Sequence, residues 1–184
     1  MELIKIIFFV IGTFFGFENS QIVSEKTTIS INPETKSVLI IQEDLFSIIR
    51  SNSDSINVRN ELVKILDTIN TWRPELKDYK RKSVEFYTNE NEGLNANIIL
   101  EYSNGEDLKD FAIDIDEQGN YSLVNFPKWN LTTDDGNING NYWQFDSSKP
   151  FKFTLEPFKD FPSQYLIYKK SLSPIWIDEM ASRQ

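Results

Sequence analysis

The sequence predicts an α+β fold, in which a curved antiparallel β-meander packs against one long helix and a shorter C-terminal helix. Three observations lead to this prediction. Apolar and polar residues alternate in short runs between residues 83 and 156, turn-forming residues separate these runs, and apolar residues recur at helical spacing between residues 58 and 72. We expect six to seven strands in the meander, with an N-terminal strand pair before it.

The strand pair comes from two runs, "TTISIN" (27–32) and "SVLIIQ" (37–42), which the turn-forming "NPET" separates. Ile29 and Ile31 fall on one face of the first run. The second run is apolar on both faces, so it is predicted to lie centrally or to be covered on both sides.

Helical patterns flank the strands. Leu45 to Ile49 favours a short amphipathic turn, and Ser55 or Asn57 is the predicted N-cap of the long helix, which ends before Pro74. Its apolar face contains Val58, Leu62, Ile65, Leu66, Ile69 and Trp72. Phe161, Tyr165 and Tyr168 recur at helical spacing near the C-terminus, and Trp176 is expected to dock the tail.

Turn chemistry is most informative in "DFAIDIDEQGNYSLVN" (110–125), where the spacing of Asp114, Asp116 and Gly119 resembles a calcium loop. That loop also requires Glu at its twelfth position, which is Asn125 here. A hairpin in which Asp116 pairs with Asn120 matches every facing pair in polarity and gives Gly119 the position with positive φ. We therefore predict a hairpin and no metal site, although exposed carboxylates still permit a weak surface cation site.

Two further dipeptides, Asn104-Gly105 and Asp135-Gly136, are typical of two-residue hairpin turns. Each would join neighbouring strands of the meander. They complete the turns expected within residues 83–156.

The first twenty residues have the layout of a secretory signal peptide, with Lys5 before an uncharged apolar run from Ile6 to Phe17. The run is shorter than the ~20 residues that a membrane-spanning helix needs, so an uncleaved anchor is the second interpretation. We predict a cleaved signal peptide (1–20) and a single mature domain (21–184) without a membrane span. The predicted location is secreted or periplasmic, in a bacterial cell envelope. Ser20 suits a cleavage site, whereas Glu18 does not.

Composition limits the chemistry. The chain has no His and no Cys, so the usual zinc ligands and the Ser-His and Cys-His nucleophile pairs are missing. A net charge of −9 repels phosphate backbones, which argues against nucleic acid as a partner. The sequence therefore favours a protein without catalytic activity, and no cofactor is predicted.

The candidate ligand-binding residues are Trp129, Tyr142 and Trp143, which surround a loop rich in Asn, Gly and Asp. Exposed aromatic rings beside amides commonly bind proteins, carbohydrates or small apolar ligands, and these are the partners we expect. In the alternative interpretation, Trp143 and Phe145 face the core while Trp129 pairs with Tyr142 across a hairpin.

The sequence thus predicts an exported, soluble, non-catalytic binding domain that acts through a cleft between sheet and helix or through the aromatic loop. One alternative is a carboxylate-dependent, glycosidase-like hydrolase, for which Glu101 and Glu156 have the most apolar neighbours. Another is a structural component of the cell envelope, whose tail "SPIWIDEM" docks on a second chain. An outward strand position explains both glutamates without catalysis.

Overall fold

The fold is α+β, as the sequence predicts, and a computed structural model describes residues 6–184. Lys5, which precedes the apolar run of the predicted signal peptide, lies outside the described residues. None of the helices in residues 6–184 is both long and apolar enough to cross a bilayer. The helices α1 and α2 are Asn52–Asp67 and Ser173–Ser182.

The described residues form ten strands, seven of them between residues 81 and 155. In chain order the strands are β1 (Val23–Asn32), β2 (Ser37–Ile48), β3 (Arg81–Thr88), β4 (Leu94–Glu101), β5 (Ile113–Ile115), β6 (Tyr121–Val124), β7 (Gly136–Asn139), β8 (Tyr142–Phe145), β9 (Phe151–Leu155) and β10 (Lys169–Ser171). Short 3-10 helices cover Ile11–Phe15, Pro74–Asp78, Gly105–Phe111, Pro127–Trp129 and Ser163–Tyr168.

The larger sheet has the order β3-β4-β2-β1-β9, and β10 adds to the end of β2. The predicted strand pair is therefore present, and β2 lies centrally. Its core face is continuous with both neighbours, because Ile40 pairs with Ile29 on one side and with Ile98 on the other. The opposite face of β2 is only half-buried at Leu39 and Ile41, so this strand is covered on one side.

The smaller sheet has the order β5-β6-β8-β7. The expected meander is therefore divided between two sheets, because the chain leaves the larger sheet after β4 and returns to it at β9. The inner face of the smaller sheet packs on β9, where the ring of Phe145 stacks on Phe151 at 4.5 Å and contacts Phe153 at 5.7 Å. Contact between aromatic rings thus joins the two sheets.

The hairpin predicted at residues 113–123 is confirmed. Ile113 pairs with Leu123, Asp114 with Ser122, and Ile115 with Tyr121. Gly119 has φ +83° at the third loop position, as the hairpin rules require. The Asp116 carboxylate accepts hydrogen bonds from three partners within the smaller sheet and its loop: the main-chain N–H groups of Gln118 and Asn120 at 2.9 Å each, and the Gln144 side chain at 2.7 Å.

Both two-residue hairpin predictions are wrong. Asn104 instead caps the 3-10 helix Gly105–Phe111, because its side chain accepts from Glu106 N–H while Asp107 accepts from Asn104 N–H. Gly136 begins β7, and the turn between β7 and β8 lies at residues 140–141. Asn followed by Gly supports a helical cap as well as a turn.

The long helix begins earlier and ends earlier than predicted. Its N-cap is Ser51, which accepts from Asp54 N–H at 3.2 Å while the Asp54 carboxylate accepts from Ser51 N–H at 3.0 Å. Trp72 lies beyond its end, but Val58, Leu62, Ile65 are buried on its inner face as expected. The helical turn predicted at Leu45 to Ile49 is wrong, because β2 continues to Ile48.

The C-terminal part ends in the expected shorter helix, α2. The aromatic spacing before it produces a 3-10 helix, Ser163–Tyr168, and not an α-helix. Trp176 is partly buried against the core, in agreement with the docking role that was predicted for it.

The apolar run Ile6 to Phe17 packs inside the fold. Ile6, Phe8, Ile11 and Phe14 are at most 1% exposed, and the run includes the 3-10 helix Ile11–Phe15. The cleaved signal peptide and the domain boundary at residue 21 stay predictions.

Candidate binding cleft

The three aromatic residues predicted to bind a ligand do not share one surface. Tyr142 is 48% exposed and pairs with Val124 and Asn139, whereas its neighbour Trp143 points to the opposite, inner face of the smaller sheet. Trp129 packs against the ring of Phe9 at 5.5 Å. The alternative pairing of Trp129 with Tyr142 across a hairpin is wrong, because other residues are the partners of Tyr142.

A cavity of about 750 Å³ lies elsewhere, between the larger sheet, the β3–β4 turn and α2. It opens where β2 changes partners. The ladder between β2 and β4 ends at the pair Gln42–Ala96, and the ladder with β10 begins at Phe46–Ser171. Asp44 lies in the gap between these two ladders.

Asp44 has φ +53°, a left-handed conformation that Asp and Asn adopt more readily than most residues. Two side chains hold it: the Asn95 Oδ1 atom accepts from Asp44 N–H at 2.9 Å, and Asn89 donates to Asp44 Oδ1 at 3.0 Å. Gly93 approaches the same carboxylate so closely that a Cβ there would overlap it. The Asp44 carboxylate is therefore fixed at the cleft wall.

The β3–β4 turn forms the wall next to Asp44. The Asn89 side chain accepts from the N–H groups of Asn91 at 3.0 Å and Gly93 at 2.8 Å. These bonds hold the turn and present Glu92 to the cavity. Among the described residues, Glu92 has no ion-pair partner.

The opposite wall is formed by the start of α2, with Pro174, Ile177 and Asp178. Leu172 N–H donates to Leu45 O at 3.1 Å, which attaches this segment to the end of β2. Farther along the helix, the Arg59 guanidinium on α1 binds Asp178 at 3.1 Å and Glu179 at 2.5 Å. The side chain of Ile177, 51% exposed, gives this wall an apolar surface.

A cation of the protein itself already occupies the floor of the cleft. The Lys169 ammonium lies 2.5 Å from Glu25 Oε1 and 4.6 Å from the centroid of the Phe46 ring. An ammonium between a carboxylate and an aromatic face is stabilised by Coulomb attraction and by the ring quadrupole. Ring and carboxylate together thus form a binding arrangement for an amine.

A second cavity of about 420 Å³ shares Glu25, Asp44 and Lys169 with the first and extends it. Its apolar side contains Phe158, Phe161 and Leu166, and its polar side contains two glutamates, Glu43 and Glu156, and two lysines, Lys26 and Lys159. The hydrogen bond from Lys26 to Glu43, 2.9 Å, raises the pKa of this lysine above its ordinary value. This extension therefore has both charged and aromatic surface.

The first cavity is acidic overall, because four carboxylates and a single ammonium line it. The carboxylates are Glu25, Asp44, Glu92 and Asp178. Within the described residues, no group of three or more acidic side chains is placed to hold a metal ion. The arrangement suits an organic cation with an apolar portion, which the Phe46 ring and Ile177 would contact.

The two glutamates considered for hydrolysis differ in location. Glu101 ends β4 with its carboxylate 3.6 Å from the Arg81 guanidinium, away from both cavities. Glu156 borders the second cavity.

Comparisons of the chain with family models, with curated proteins and with solved structures each returned no match.

Proposed function

We propose that this protein is a non-catalytic binding domain, and that its cleft between the larger sheet and α2 takes a small ligand with a protonated amine on a short apolar chain. The observation that carries the proposal is the pairing of Lys169 with Glu25 over the Phe46 ring, because it places an ammonium group in the same acidic cavity. A ligand amine has Asp44 and Glu92 available beside it. Its apolar chain would lie against Ile177 or extend toward Phe161.

The missing His and Cys support a binding role over a catalytic one, since they remove the usual nucleophile and base pairs. Export to the cell envelope stays a prediction from the N-terminal sequence, and the binding proposal does not depend on it.

The test compares three six-carbon probes that differ only in head group: hexylamine, hexanol and hexanoate. In two-dimensional NMR at neutral pH, we expect hexylamine to shift the amide signals of Asp44, Gly93 and Phe46, while the neutral and anionic probes leave them unchanged. Hexanol or hexanoate binding as well as hexylamine would contradict the proposal.

Removing one cleft charge without changing its shape gives the matched variants Asp44→Asn and Glu92→Gln. A unit charge about 5 Å away contributes roughly 1 kcal/mol at the effective dielectric constant of a wet surface site, so each variant should weaken hexylamine binding about fivefold. Glu85→Gln, on an exposed position of β3 outside both cavities, is the control and should have no effect.

Lys169→Met tests the same site in the opposite direction. This variant removes the protein's own ammonium, which leaves Glu25 and the Phe46 ring open to the ligand. We expect hexylamine to bind at least threefold more tightly to it than to the wild type. Unchanged affinity would show that the amine binds elsewhere.

The carboxylate-dependent hydrolase remains the second candidate, because Glu25 and Asp44 lie on adjacent strands and line the same cavity. Hydrolysis of a glycosidic bond needs two such groups with one free to act as nucleophile or base. Here, however, Glu25 is bonded to Lys169, and Asp44 accepts from Asn89. If the wild type turns over glycosides or esters from a panel and the Glu25→Gln variant does not, the hydrolase is favoured and the binding proposal is contradicted.

A further inference from the structure

The segment Ile6 to Phe17 is built into the centre of the fold through aromatic contacts. The ring of Phe8 stacks on Phe111 at 5.0 Å and meets the edge of Phe153 at 5.7 Å, and Phe14 contacts Phe111 at 5.9 Å. Phe111 and Phe153 belong to distant parts of the chain. The segment therefore packs between β9 of the larger sheet and the 3-10 helix Gly105–Phe111, as part of the close-packed core.

A second set of aromatic contacts anchors the flanks of the segment. The ring of Phe9 meets Trp129 at 5.5 Å, and Phe15 packs on Trp72 at 5.0 Å. Trp72 and Trp129 lie on either side of the middle of the chain. Residues from distant parts of the sequence therefore pack against the segment.

Polar groups of the body also depend on the segment. The buried Gln42 amide donates to Phe8 O at 2.6 Å, Ser24 N–H to Phe9 O at 3.0 Å, and Arg73 N–H to Phe14 O at 2.9 Å. Without residues 6 to 17, these three donors would lose their acceptors. Buried donors without acceptors are strongly disfavoured in folded proteins.

The segment satisfies its own backbone as well. The Thr13 hydroxyl donates to Val10 O at 2.8 Å and accepts from Ile7 N–H at 3.1 Å. Beyond it, the Glu61 carboxylate on α1 accepts from the Ser20 hydroxyl at 2.5 Å and from Gln21 N–H at 2.9 Å. The peptide bond at the predicted cleavage site is thereby held against α1.

We infer that residues 6 to 17 are a permanent part of the folded core and are not removed by cleavage before Gln21. The apolar run that resembles a signal peptide is, in this inference, the central packing element of the domain. The inference is independent of the proposal for the cleft.

The direct test is the N-terminus of the folded protein. The full chain is expressed in a bacterium with an active general secretory pathway, and the folded fraction from every compartment is analysed by intact mass and N-terminal sequencing. We expect all folded protein to contain residues 6 to 17. Folded protein that starts at Gln21, or anywhere after Phe17, would overturn the inference.

A point variant in the full chain distinguishes a role of the segment as a signal peptide from a role as part of the core. Gly12→Leu makes the apolar run more hydrophobic and so improves it as a signal peptide, but a Cβ at Gly12 lies only 2.5 Å from Ser20 Oγ and 3.1 Å from Glu61 Oε1. We expect the unfolding equilibrium constant to rise at least tenfold, because the turn that follows the segment must move. Phe17→Leu is the control at a half-buried position near the end of the run, and should change it less than threefold.

If the Gly12→Leu variant unfolds like the wild type, the inference is contradicted, because a segment that has been removed cannot affect the stability of the rest. A variant that fails to fold while Phe17→Leu folds supports it.

Discussion

The two ends of the chain are attached to the body of the protein by different physical forces. Ile6 to Phe17 is held by burial of aromatic and aliphatic side chains and by main-chain hydrogen bonds. Helix α2 lies on the surface, where Ile175 and Trp176 pack against the core and ion pairs from Arg59 and Arg183 add to the attachment, while Ile177 and Met180 stay exposed. The first attachment requires a tight fit of buried side chains, whereas the second combines partial apolar burial with ion pairs that salt screens.

This difference limits what each end can do in the fold. A tightly packed segment can support the sheets but cannot move without unfolding them. A surface helix that is only partly buried can form one wall of a cleft and adjust to a ligand. Changes to the buried segment 6–17 should therefore affect stability more than changes to α2.

Phe14→Ala should have the largest effect, because the ring is fully buried and contacts Phe111. Truncating a buried Phe typically costs about 3–5 kcal/mol, from lost burial and the cavity that remains. We expect that loss in the free energy of unfolding, measured by urea denaturation. The control Phe17→Ala, at a half-buried position, should lose less than half as much. Equal losses would remove the distinction between core and surface in this segment.

Alkaline pH should lower the stability of the core around Tyr79 and should not act through α2. Burial raises the pKa of Tyr79 above its ordinary value near 10, with further contributions from Asp110 and Asp107, and its ring contacts Phe111. Below pH 10 the phenol is protonated in both states, so stability is unaffected. Above pH 10 the unfolded chain ionises first, and stability falls by up to about 1.4 kcal/mol per pH unit for this one group.

The measurement for this prediction is phenolate absorbance together with circular dichroism between pH 9 and 12. We expect Tyr79 to ionise only as the fold is lost, and Tyr79→Phe to remain folded to higher pH. Ionisation of all tyrosines before unfolding would mean that this part of the core is open to water.

Salt should weaken the attachment of α2 and leave the packing of the core unchanged. Arg59→Ala removes both ion pairs to Asp178 and Glu179, and exposed pairs of this kind contribute about 0.2–1 kcal/mol each. We expect a small loss of stability together with faster proteolysis near residue 173. In the wild type, raising NaCl from 0.05 to 1 M should produce the same local effect by screening. Lys64→Ala, on the same helix with no ion pair to α2, is the matched control.

The sequence predicts best where neighbouring residues decide the structure. The hairpin around Gly119 follows from alternation and from one turn position, which lie within eleven residues of each other. The inner face of α1 follows in the same way from Val58, Leu62 and Ile65. The Asn104 prediction failed because the same residue types serve turns and helix caps.

The cleft could not be predicted, because distant residues create it. Asp44 is held in its conformation by Asn95 and lies close to Gly93, and the register of β1 and β2 is needed to bring it to the same cavity as Glu25. The available signal was the pair of charged residues Glu43 and Asp44 between two apolar runs, 38–41 and 45–49. An apolar run as short as residues 45–49 fits a helix as well as a strand, so its spacing led to the wrong prediction of a helical turn.

The N-terminal run shows the same limit of local patterns. A mostly apolar run of twelve residues behind a lysine satisfies the description of a signal peptide, and it equally satisfies that of a buried core segment. Only its contacts with Phe111 and Phe153, about a hundred residues away or more, distinguish the two.

Hydrogen exchange on the full chain compares the two ends most directly, with mass analysis of peptides covering residues 6–17 and 173–182. If the first end is core and the second is a surface wall, the N-terminal amides should exchange only by global unfolding, and slow as stability increases. The α2 amides should exchange at least a hundredfold faster and accelerate with salt. N-terminal amides that exchange as fast as those of α2 would contradict the account.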